Sequence, residues 1–589
     1  MILVTIPRFQ DILIALVSSF IQWFYKQHRG IRILITLTAL SGLVLLFWVF
    51  RTSSYFLGDG RLLLRYLPSL DADENLTLGF KREPLIGFCI VILTNFFIVL
   101  NRANPALDAY IWLSIISGLV FAVTAWKFVQ YYTQDRNEQF LLFLLLMTTG
   151  VSQLFFGYVE NYAPSAAGIL LFFLLSIAYL RQKISIVWPI GIYGIVLMLN
   201  FGVLIFIPAL ILLLSVAIKR NQVAEFAASL FLAGAIIFGL LQLSLFPFDL
   251  LKEVLGGTWG HIVPFSSPLY KNQAYTFFSL SHLIDIVNLF CLNYPVTTIL
   301  LMLSCIMMWH QRKSIKIELG FLLLSALGGF VFILIFNCEL GMSRDWDILA
   351  SLSTGIPFAA LALWETIGCE QKFRHRVLMM LCVVSLLQTS LWVGINADET
   401  KSEKRFSMLD DVQLWNKLAR LDSYEELAIY HRDRGEYQKA IQYYQKYVML
   451  DSTNERLWRK LADVLQLAGD QKEAIRVYKT MIRLGMRNYQ ILSNLALLLT
   501  YERNYSEAMV LFRRAEEDAP TDPIIKYNIG KTIMENEHAY KKAIPYFLYA
   551  IQLDSTFSQA YYKVIECYFM VSDSVKANQF IAQLQNRSR

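Results

Sequence analysis

Apolar and polar positions divide the chain into two parts that meet near residue 396. Before that point, long uncharged runs alternate with short polar segments, which is typical of a polytopic membrane domain. After it, charged and apolar residues alternate at helical spacing, which is typical of a soluble helical domain. The candidate spans are residues 33–50, 109–126, 139–157, 165–180, 184–200, 203–218, 225–246, 294–309, 318–337, 349–366 and 376–395. The pattern predicts an all-α fold with about eleven spans before the soluble part.

One further apolar run, residues 85–100, decides the orientation of everything after it. The run is shorter than the roughly 20 residues that a spanning helix needs. If it does not cross, the later basic clusters all face the cytoplasm, in accordance with the positive-inside rule. These clusters are Lys127/Arg136, Arg181/Lys183, Lys219/Arg220, Arg312/Lys313/Lys316 and Lys372/Arg374/Arg376. We therefore predict a juxtamembrane or re-entrant helix here, with the N-terminus inside and the C-terminal domain outside.

This topology brings four polar segments together on the extracytoplasmic face. They are the loop around Asp59, residues 158–162, residues 247–293 and residues 343–347. At the opposite face, residues 9–25 mix apolar and polar positions and are expected to lie flat on the membrane, within a cytoplasmic N-terminal segment 1–32. This segment has no small-residue cleavage site after an apolar core, so it does not read as a signal peptide.

The soluble part repeats itself from about residue 421. The alanines Ala440, Ala474, Ala508, Ala543 and Ala577 are spaced 34, 34, 35 and 34 residues apart. This spacing is the tetratricopeptide (TPR) pattern, in which each unit is a pair of antiparallel helices and small residues lie where helices pass closely. We predict about five repeats in residues 421–589, after a membrane domain 33–396 and a linker with a capping helix 397–420.

Stacked repeats leave a groove that binds extended peptides or partner proteins. Tyr443, Tyr444, Tyr447 and Trp458 are candidates for lining that groove. The alternative, that these aromatics pack between helices, is the commoner role of such residues.

Composition agrees with a largely membrane-embedded chain. Hydrophobic residues make up 56% of the 589 residues, charged residues 17%, and the mean hydropathy is +0.46. The net charge of +7 is spread among loops, so we expect membrane lipids as partners and no nucleic acid. Seven cysteines without a CxxC pair argue against a disulfide framework or a zinc site.

The outer segments resemble those of GT-C membrane glycosyltransferases, which use a lipid-phosphate sugar donor. The resemblance rests on residues 55–60 with Asp59 soon after the first span, on residues 81–85 with a proline entering the next apolar helix, and on residues 157–162 with Glu160. A later outer loop, 247–293, completes the layout. One GT-C branch, the repeat-containing protein O-mannosyltransferases, joins such a membrane domain to TPR repeats. This chain departs from that branch because Asp59 stands between two glycines and lacks a paired acid.

The resemblance implies transfer of a sugar from a polyprenyl phosphate to a protein or glycan acceptor, which the repeats recruit. Such transfer needs a carboxylate that takes the acceptor proton and a positive charge or a metal that stabilises the departing phosphate. Asp59 is the expected base. Lys81, Arg82 and Arg344 are the expected phosphate contacts. Glu160 is expected to bind a divalent cation, such as Mg²⁺ or Mn²⁺, or to orient the acceptor.

Residues 344–347 contain a second acidic pair, Asp345 and Asp347, in a weak DxD-like pattern that suits a metal or the acceptor. His261 in the 247–293 loop is a further candidate, and His282 a weaker one. Each has a structural alternative: Asp59 as a turn residue, Glu160 as a helix cap, residues 344–347 as an interfacial anchor, and the histidines as loop supports.

Two other functions stay open at this point. The chain could be an O-antigen-ligase or polymerase-like enzyme that depends on Arg344 and His261 and not on Asp59. It could also be a non-enzymatic membrane-anchored scaffold whose repeats dock partners, although an anchor does not need eleven spans. No Walker, GxSxG or HExxH motif is present, so ATP, serine or zinc hydrolysis has no support.

Overall fold

The computed structural model describes residues 7–58, 60–66, 83–243, 261–267, 273, 275–311, 315–411 and 417–587. These residues are overwhelmingly helical and form no strand, with one isolated bridge between Ile262 and Phe336. The all-α prediction is confirmed. The chain divides into two compact units, Met1–Ala419 and Arg420–Arg589.

The first unit contains helices of very different lengths. In chain order they are α1 Pro7–Lys26, α2 Arg29–Val49, α3 Gly60–Tyr66, α4 Pro84–Val99, α5 Pro105–Tyr132, α6 Arg136–Met147, α7 Tyr162–Leu180, α8 Val187–Leu199, α9 Ile207–Lys219, α10 Val223–Leu243, α11 Leu280–Asn293, α12 Pro295–Gln311, α13 Ile317–Ile335, α14 Trp346–Leu352, α15 Gly355–Trp364, α16 Gln371–Asn396 and α17 Glu399–Asp411. Short 3₁₀ helices, Gly150–Phe155 and Phe201–Phe206, follow α6 and precede α9.

Seven described helices are long and apolar enough to cross a membrane. The number of candidate spans rises to nine if each of two bent helix pairs counts as one span. The predicted number of about eleven is therefore not supported. The difference lies in helix breaks that a hydropathy count does not register. The predicted span 139–157 is the 12-residue α6 followed by a 3₁₀ turn, and the predicted span 184–200 is the 13-residue α8.

Helix ends that carry arginine gather at one end of this unit, here named the basic end. Arg181 after α7 forms an ion pair with Glu318 of α13 at 3.2 Å and donates to the carbonyl of Tyr131 in α5. Arg374 of α16 pairs with Glu138 of α6 at 2.5 Å and with Glu365 after α15 at 2.7 Å. Two of the predicted basic clusters, those with Arg181 and Arg374, thus share one end, and each arginine is tied to neighbouring helix ends.

The opposite end, here named the site end, joins the end of α2 to the beginning of α5. The amide of Thr52 donates to the carbonyl of Phe156 at 2.8 Å, and the Tyr110 hydroxyl donates to Asn161 at 3.4 Å. Residues 51–104 therefore leave from and return to the same end. α4 packs there along its length, with Ile86 and Phe97 in one cluster with Tyr110 and Val159. That the run 85–100 does not cross a membrane stays a prediction.

α1 lies across the basic end, close to where α6 and α16 begin. Asp11 pairs with Arg376 at 2.6 Å, and the Tyr25 ring lies 3.7 Å under the guanidinium of Arg136. Leu16 and Phe20 are 63% and 53% exposed on its outer face. That α1 lies flat on a membrane surface stays a prediction.

The second unit consists of five antiparallel helix pairs. They are α18 Lys417–Asp433 with α19 Tyr437–Leu450, α20 Glu455–Leu467 with α21 Gln471–Arg483, α22 Tyr489–Tyr501 with α23 Tyr505–Asp518, α24 Pro523–Glu537 with α25 Tyr540–Leu553, and α26 Ser558–Met570 with α27 Ser574–Arg587. All five predicted alanines lie in the second helix of a pair and are completely buried. The predicted TPR layout is confirmed by these helices.

The turn inside each pair needs one residue with left-handed backbone. Gly435 and Gly469 supply it in the first two pairs, with φ of +74° and +80°. Arg503, His538 and Ser572 occupy the same position in the other three, with φ of +60°, +48° and +61°. Because a side chain disfavours this conformation, the later turns are held by the packing of their helices.

Candidate functional site

The loop that follows α2 is fixed at the site end by three other segments. The amide of Thr52 bonds to Phe156, and the amide of Ser53 donates to the carbonyl of Asn396 at 3.0 Å. The amide of Gly58 donates to the carbonyl of Arg344 at 3.1 Å. Segments far apart in sequence are thus joined by backbone hydrogen bonds, which do not depend on the identity of the side chains.

Gly58 lies where two carboxylates converge. Its φ is +64°, and a Cβ built on it would lie 2.3 Å from Oε1 of Glu160 and 2.7 Å from Oδ2 of Asp347. A side chain at position 58 would therefore overlap both acids. Two residues later, a Cβ at Gly60 would lie 2.7 Å from the carbonyl oxygen of Val159. Glycine on both sides of position 59 permits this close approach.

Three of the predicted site residues, Asp59, Lys81 and Arg82, lie outside the described residues. For Asp59, the two flanking glycines are described, and both contact the segment that carries Glu160.

Glu160 is 5% exposed and belongs to the loop before α7. The ring of Tyr158 in the same loop packs edge to face on Trp346, with centroids 5.5 Å apart. Burial, together with the nearby carboxylates of Asp347 and Glu160, raises the pKa of Tyr158 well above its usual value. The Tyr158 hydroxyl therefore stays protonated at neutral pH beside the two acids.

The alternative role of this loop, as a cap of α7, is only partly supported by the structure. Asn161 occupies the position before the first turn of α7, but its side chain forms no cap hydrogen bond. Its Oδ1 instead accepts from Tyr110 of α5.

Arg344 is 2% exposed and reaches the same place from the loop before α14. Its Nη2 donates to the carbonyl of Gly58 at 3.4 Å, and its guanidinium lies 5.2 Å from the centroid of the Phe406 ring. Arg344 and the carboxylates of Glu160 and Asp347 therefore all approach Gly58.

The two acids of the DxD-like pair separate. Asp347 faces Gly58 and Glu160, whereas Oδ2 of Asp345 accepts from the amide of Leu340 at 3.1 Å. Asp345 also contributes, after burial, to raising the pKa of Cys338 well above its usual value. Asp345 and Asp347 therefore contact different parts of the structure, because Asp345 precedes α14 and Asp347 lies in its first turn.

His261 is tied to the loop after α13. Its Nδ1 lies 3.2 Å from Glu339, and its ring stacks on Phe336 with centroids 6.1 Å apart. His282 is buried, with Nδ1 2.8 Å from the carbonyl of Phe277. No contact found in the described residues brings either histidine to Glu160 or Asp347.

Within the described part of the chain, no three histidine, cysteine, aspartate or glutamate side chains are arranged to hold a metal. Oε1 of Glu160 and Oδ2 of Asp347 nevertheless approach one point beside Gly58, at 2.3 and 2.7 Å from the Cβ that an alanine would have there. Carboxylate oxygens are the ligands that Mg²⁺ and Mn²⁺ prefer, so these two residues are the described candidates for holding such an ion.

The sequence did not predict that α17 contacts the site, because the charged composition of this segment is typical of a linker. Phe406 of α17 stacks on Phe56 with ring centroids 5.0 Å apart, and Ser402 hydrogen-bonds Ser54. Arg405 lies 4.0 Å from the ring centroid of Trp392. The adjacent arginine and phenylalanine in an otherwise polar segment were the one signal that could have found it.

The aromatics proposed for the repeat groove mostly pack between helices. Tyr444 and Tyr447 are buried in the repeat core. Tyr443 and Trp458 are partly buried against it, and the indole of Trp458 donates to the carbonyl of Ser452 at 3.0 Å. The packing alternative is therefore the better description of this group.

Comparison with protein families gives a partial match. A model described as a bacterial transcriptional activator domain matches residues 389–488, from within α16 to the residues before α22. The match covers less than half of the chain, so it does not assign the chain to that family. No curated protein matches.

Solved structures that match are tetratricopeptide proteins. MamA (residues 41 to the end) from Desulfovibrio magneticus RS-1 is 17% identical, covers 29% of this chain and 97% of its own, and has a TM-score of 0.27. A tetratricopeptide repeat protein from Parabacteroides merdae ATCC 43184 is 18% identical, covers 32% and 72%, and has a TM-score of 0.29. YrrB, a TPR protein with an unusual peptide-binding site, is 19% identical, covers 31% and 92%, and has a TM-score of 0.25. At these values the repeat assignment rests on the five helix pairs themselves.

Proposed function

We propose that the chain is an integral membrane glycosyltransferase that transfers a sugar from a polyprenyl-phosphate donor to a protein or glycan acceptor at the extracytoplasmic face. The observation that carries the proposal is the meeting of Gly58, Glu160, Asp347 and Arg344 at one end of the helices. Acids beside a buried arginine are the groups that a phosphate-leaving sugar transfer requires.

The helix surfaces support a membrane location. Phe231 on α10 is 81% exposed and Trp309 on α12 is 84% exposed, and both lie on long apolar helices. Apolar surface of this extent is covered by lipid in a membrane protein. The basic end then faces the cytoplasm by the positive-inside rule, which puts the site end outside.

In this proposal Asp59 accepts the proton of the acceptor hydroxyl as that oxygen attacks the sugar C1. The bond from C1 to the phosphate oxygen breaks, and the phosphate leaves with its charge stabilised by Arg344 and, from the segment before α4, Lys81 and Arg82. Nearby carboxylates favour the oxocarbenium-like transition state.

A divalent cation, where one binds, would be held by Glu160 and Asp347 and would offset charge on the donor phosphate. The chain's own residues keep the other roles. Arg344 is fixed by Gly58 and Phe406, and Tyr158 stays neutral beside the acids.

The repeats recruit the acceptor or a partner protein, as helix-pair arrays do. The ligase-like alternative depends on Arg344 and His261 and not on Asp59, so replacement of Asp59 separates the two functions.

The test compares Asp59→Asn and Glu160→Gln with Glu370→Gln, which changes an exposed acid outside the proposed site, before α16. Membrane vesicles receive labelled polyprenyl-phosphate sugars, and label transferred to endogenous acceptors is counted. We expect losses of about 100-fold or more for the two site variants, as for removal of a catalytic acid or base, and none for the control. Full activity of Asp59→Asn would refute the proposal.

A further inference from the structure

α17 presents an arginine to the site end that the mechanism above does not use. The guanidinium of Arg405 lies 4.0 Å from the ring centroid of Trp392, and its Nη1 is 3.4 Å from Oδ1 of Asn396. Trp392 packs edge to face on Trp346 at 5.6 Å, and Trp346 in turn contacts Tyr158. Arg405 is thus joined to the acidic loop through two tryptophans.

The charge of Arg405 has no acidic partner among the residues that the structure describes. Its described contacts are an aromatic ring and one neutral amide. Burial lowers the pKa of Arg405 to about 10, which still leaves it charged at neutral pH. Arg405 is partly buried. A cation partly withdrawn from water without a counter-ion costs free energy, which binding of an anion would recover.

Arg344 contacts a ring of α17 and lies two residues before Trp346. Its guanidinium is 5.2 Å from the Phe406 ring, and Phe406 follows Arg405 directly on α17. Arginine is the side chain best suited to phosphate, because its planar fork donates two parallel hydrogen bonds.

We propose that Arg405 binds the phosphate of a polyprenyl phosphate at the site end, together with Arg344. The ligand class rests on the proposed function, but the binding is measurable without any sugar transfer. α17 is then part of the membrane unit's ligand site and not only a connection to the repeats.

The experiment measures equilibrium binding to the full-length protein in nanodiscs. The probes are a long-chain polyprenyl phosphate, the polyprenol of the same length, and inorganic phosphate. Wild type is expected to prefer the polyprenyl phosphate to both. Arg405→Gln should weaken polyprenyl-phosphate binding about 10- to 100-fold, the loss typical of one charged hydrogen bond, and leave polyprenol binding unchanged.

Two controls make the result specific. Lys404→Gln removes a neighbouring exposed charge on α17 and should bind like wild type. Arg405→Lys keeps the charge but removes the planar fork, so its polyprenyl-phosphate binding should fall between that of wild type and that of Arg405→Gln. This variant provides a second test if the glutamine variant does not fold, and binding equal to that of wild type would then contradict the inference.

Three outcomes would overturn the inference. The first is that Arg405→Gln binds polyprenyl phosphate as tightly as wild type does. The second is that Arg405→Gln loses polyprenyl-phosphate and polyprenol binding equally, which indicates a packing role. The third is that wild type binds inorganic phosphate as tightly as polyprenyl phosphate. A fully active Asp59→Asn enzyme would remove the proposed function while leaving this binding result untouched.

Discussion

Gly58→Ala is the substitution whose effect follows most directly from the geometry. Two costs act at this position. The left-handed backbone, with φ of +64°, costs an alanine about 1–2 kcal/mol relative to glycine. The new Cβ would also lie 2.3 Å from Oε1 of Glu160, so the carboxylate has to move by about 1 Å to reach ordinary contact.

A displacement of about 1 Å at a reacting centre costs about 100-fold in rate. We therefore expect Gly58→Ala to lower sugar transfer by about that factor. The assay is transfer of labelled sugar in membrane vesicles, with thermal unfolding of the purified protein measured in parallel.

Gly435→Ala is the matched control. Its φ is +74°, and no atom lies within 4 Å of the Cβ it would gain. The backbone cost is therefore the same, about 1–2 kcal/mol, without displacement of a neighbour. We expect lower repeat stability and normal transfer. If Gly58→Ala transfers sugar at the wild-type rate, the carboxylates do not converge where the reaction occurs, and the reasoning fails.

Further predictions concern the repeats. Ser572→Gly and Arg503→Gly should each stabilise their helix pair by about 0.5–1 kcal/mol, since glycine relieves the strain of the left-handed backbone. Slower hydrogen exchange in α22–α27 would show this stabilisation. Unchanged or faster exchange would contradict it. Ala474→Val should destabilise the repeats by about 1–3 kcal/mol, because the site is completely buried, and an unchanged unfolding temperature would refute that packing. Hydrogen bonds from Lys439 and His431 lower the pKa of Glu436 to about 2, so its contribution to stability is present above pH 4.5 and is lost as the pH falls toward 2. Glu436→Gln should abolish that part of the acid sensitivity, measured by exchange in α18 and α19, and an unchanged acid response would contradict the assignment.

Periodic features of the fold were predictable from sequence. The repeat alanines are small because helices cross there, and all five are buried. Positive charge on the alternate loops predicts that the segments with Gly58, Glu160 and Asp347 share one face. The contacts of these three residues are seen only in the structure.

Local breaks were not predictable from apolar runs. The 3₁₀ turn Gly150–Phe155 and the bend between Asn293 and Pro295 interrupt segments that stay apolar throughout, so hydropathy alone counts them as spans. The division of Asp345 from Asp347 depends on where α14 begins, which spacing does not reveal. The role proposed for Arg405 was not predictable, because the charged composition of its segment is typical of a solvated linker.

The central claim is that the loop after α2 and the loop that carries Glu160 meet at the site end. A disulfide between Gly60→Cys and Val159→Cys, in a background without the seven native cysteines, tests it directly in intact membranes. A Cβ on Gly60 would lie 3.4 Å from Cβ of Val159, close to disulfide geometry, and 2.7 Å from the Val159 carbonyl oxygen, so the loop must shift slightly to admit it. An unfolding temperature of the reduced double variant equal to that of the cysteine-free parent shows that the fold is kept. We expect rapid oxidation of this pair and none between Gly60→Cys and Gln371→Cys at the basic end. Failure of the first pair to cross-link, or equal cross-linking of both pairs, would contradict it.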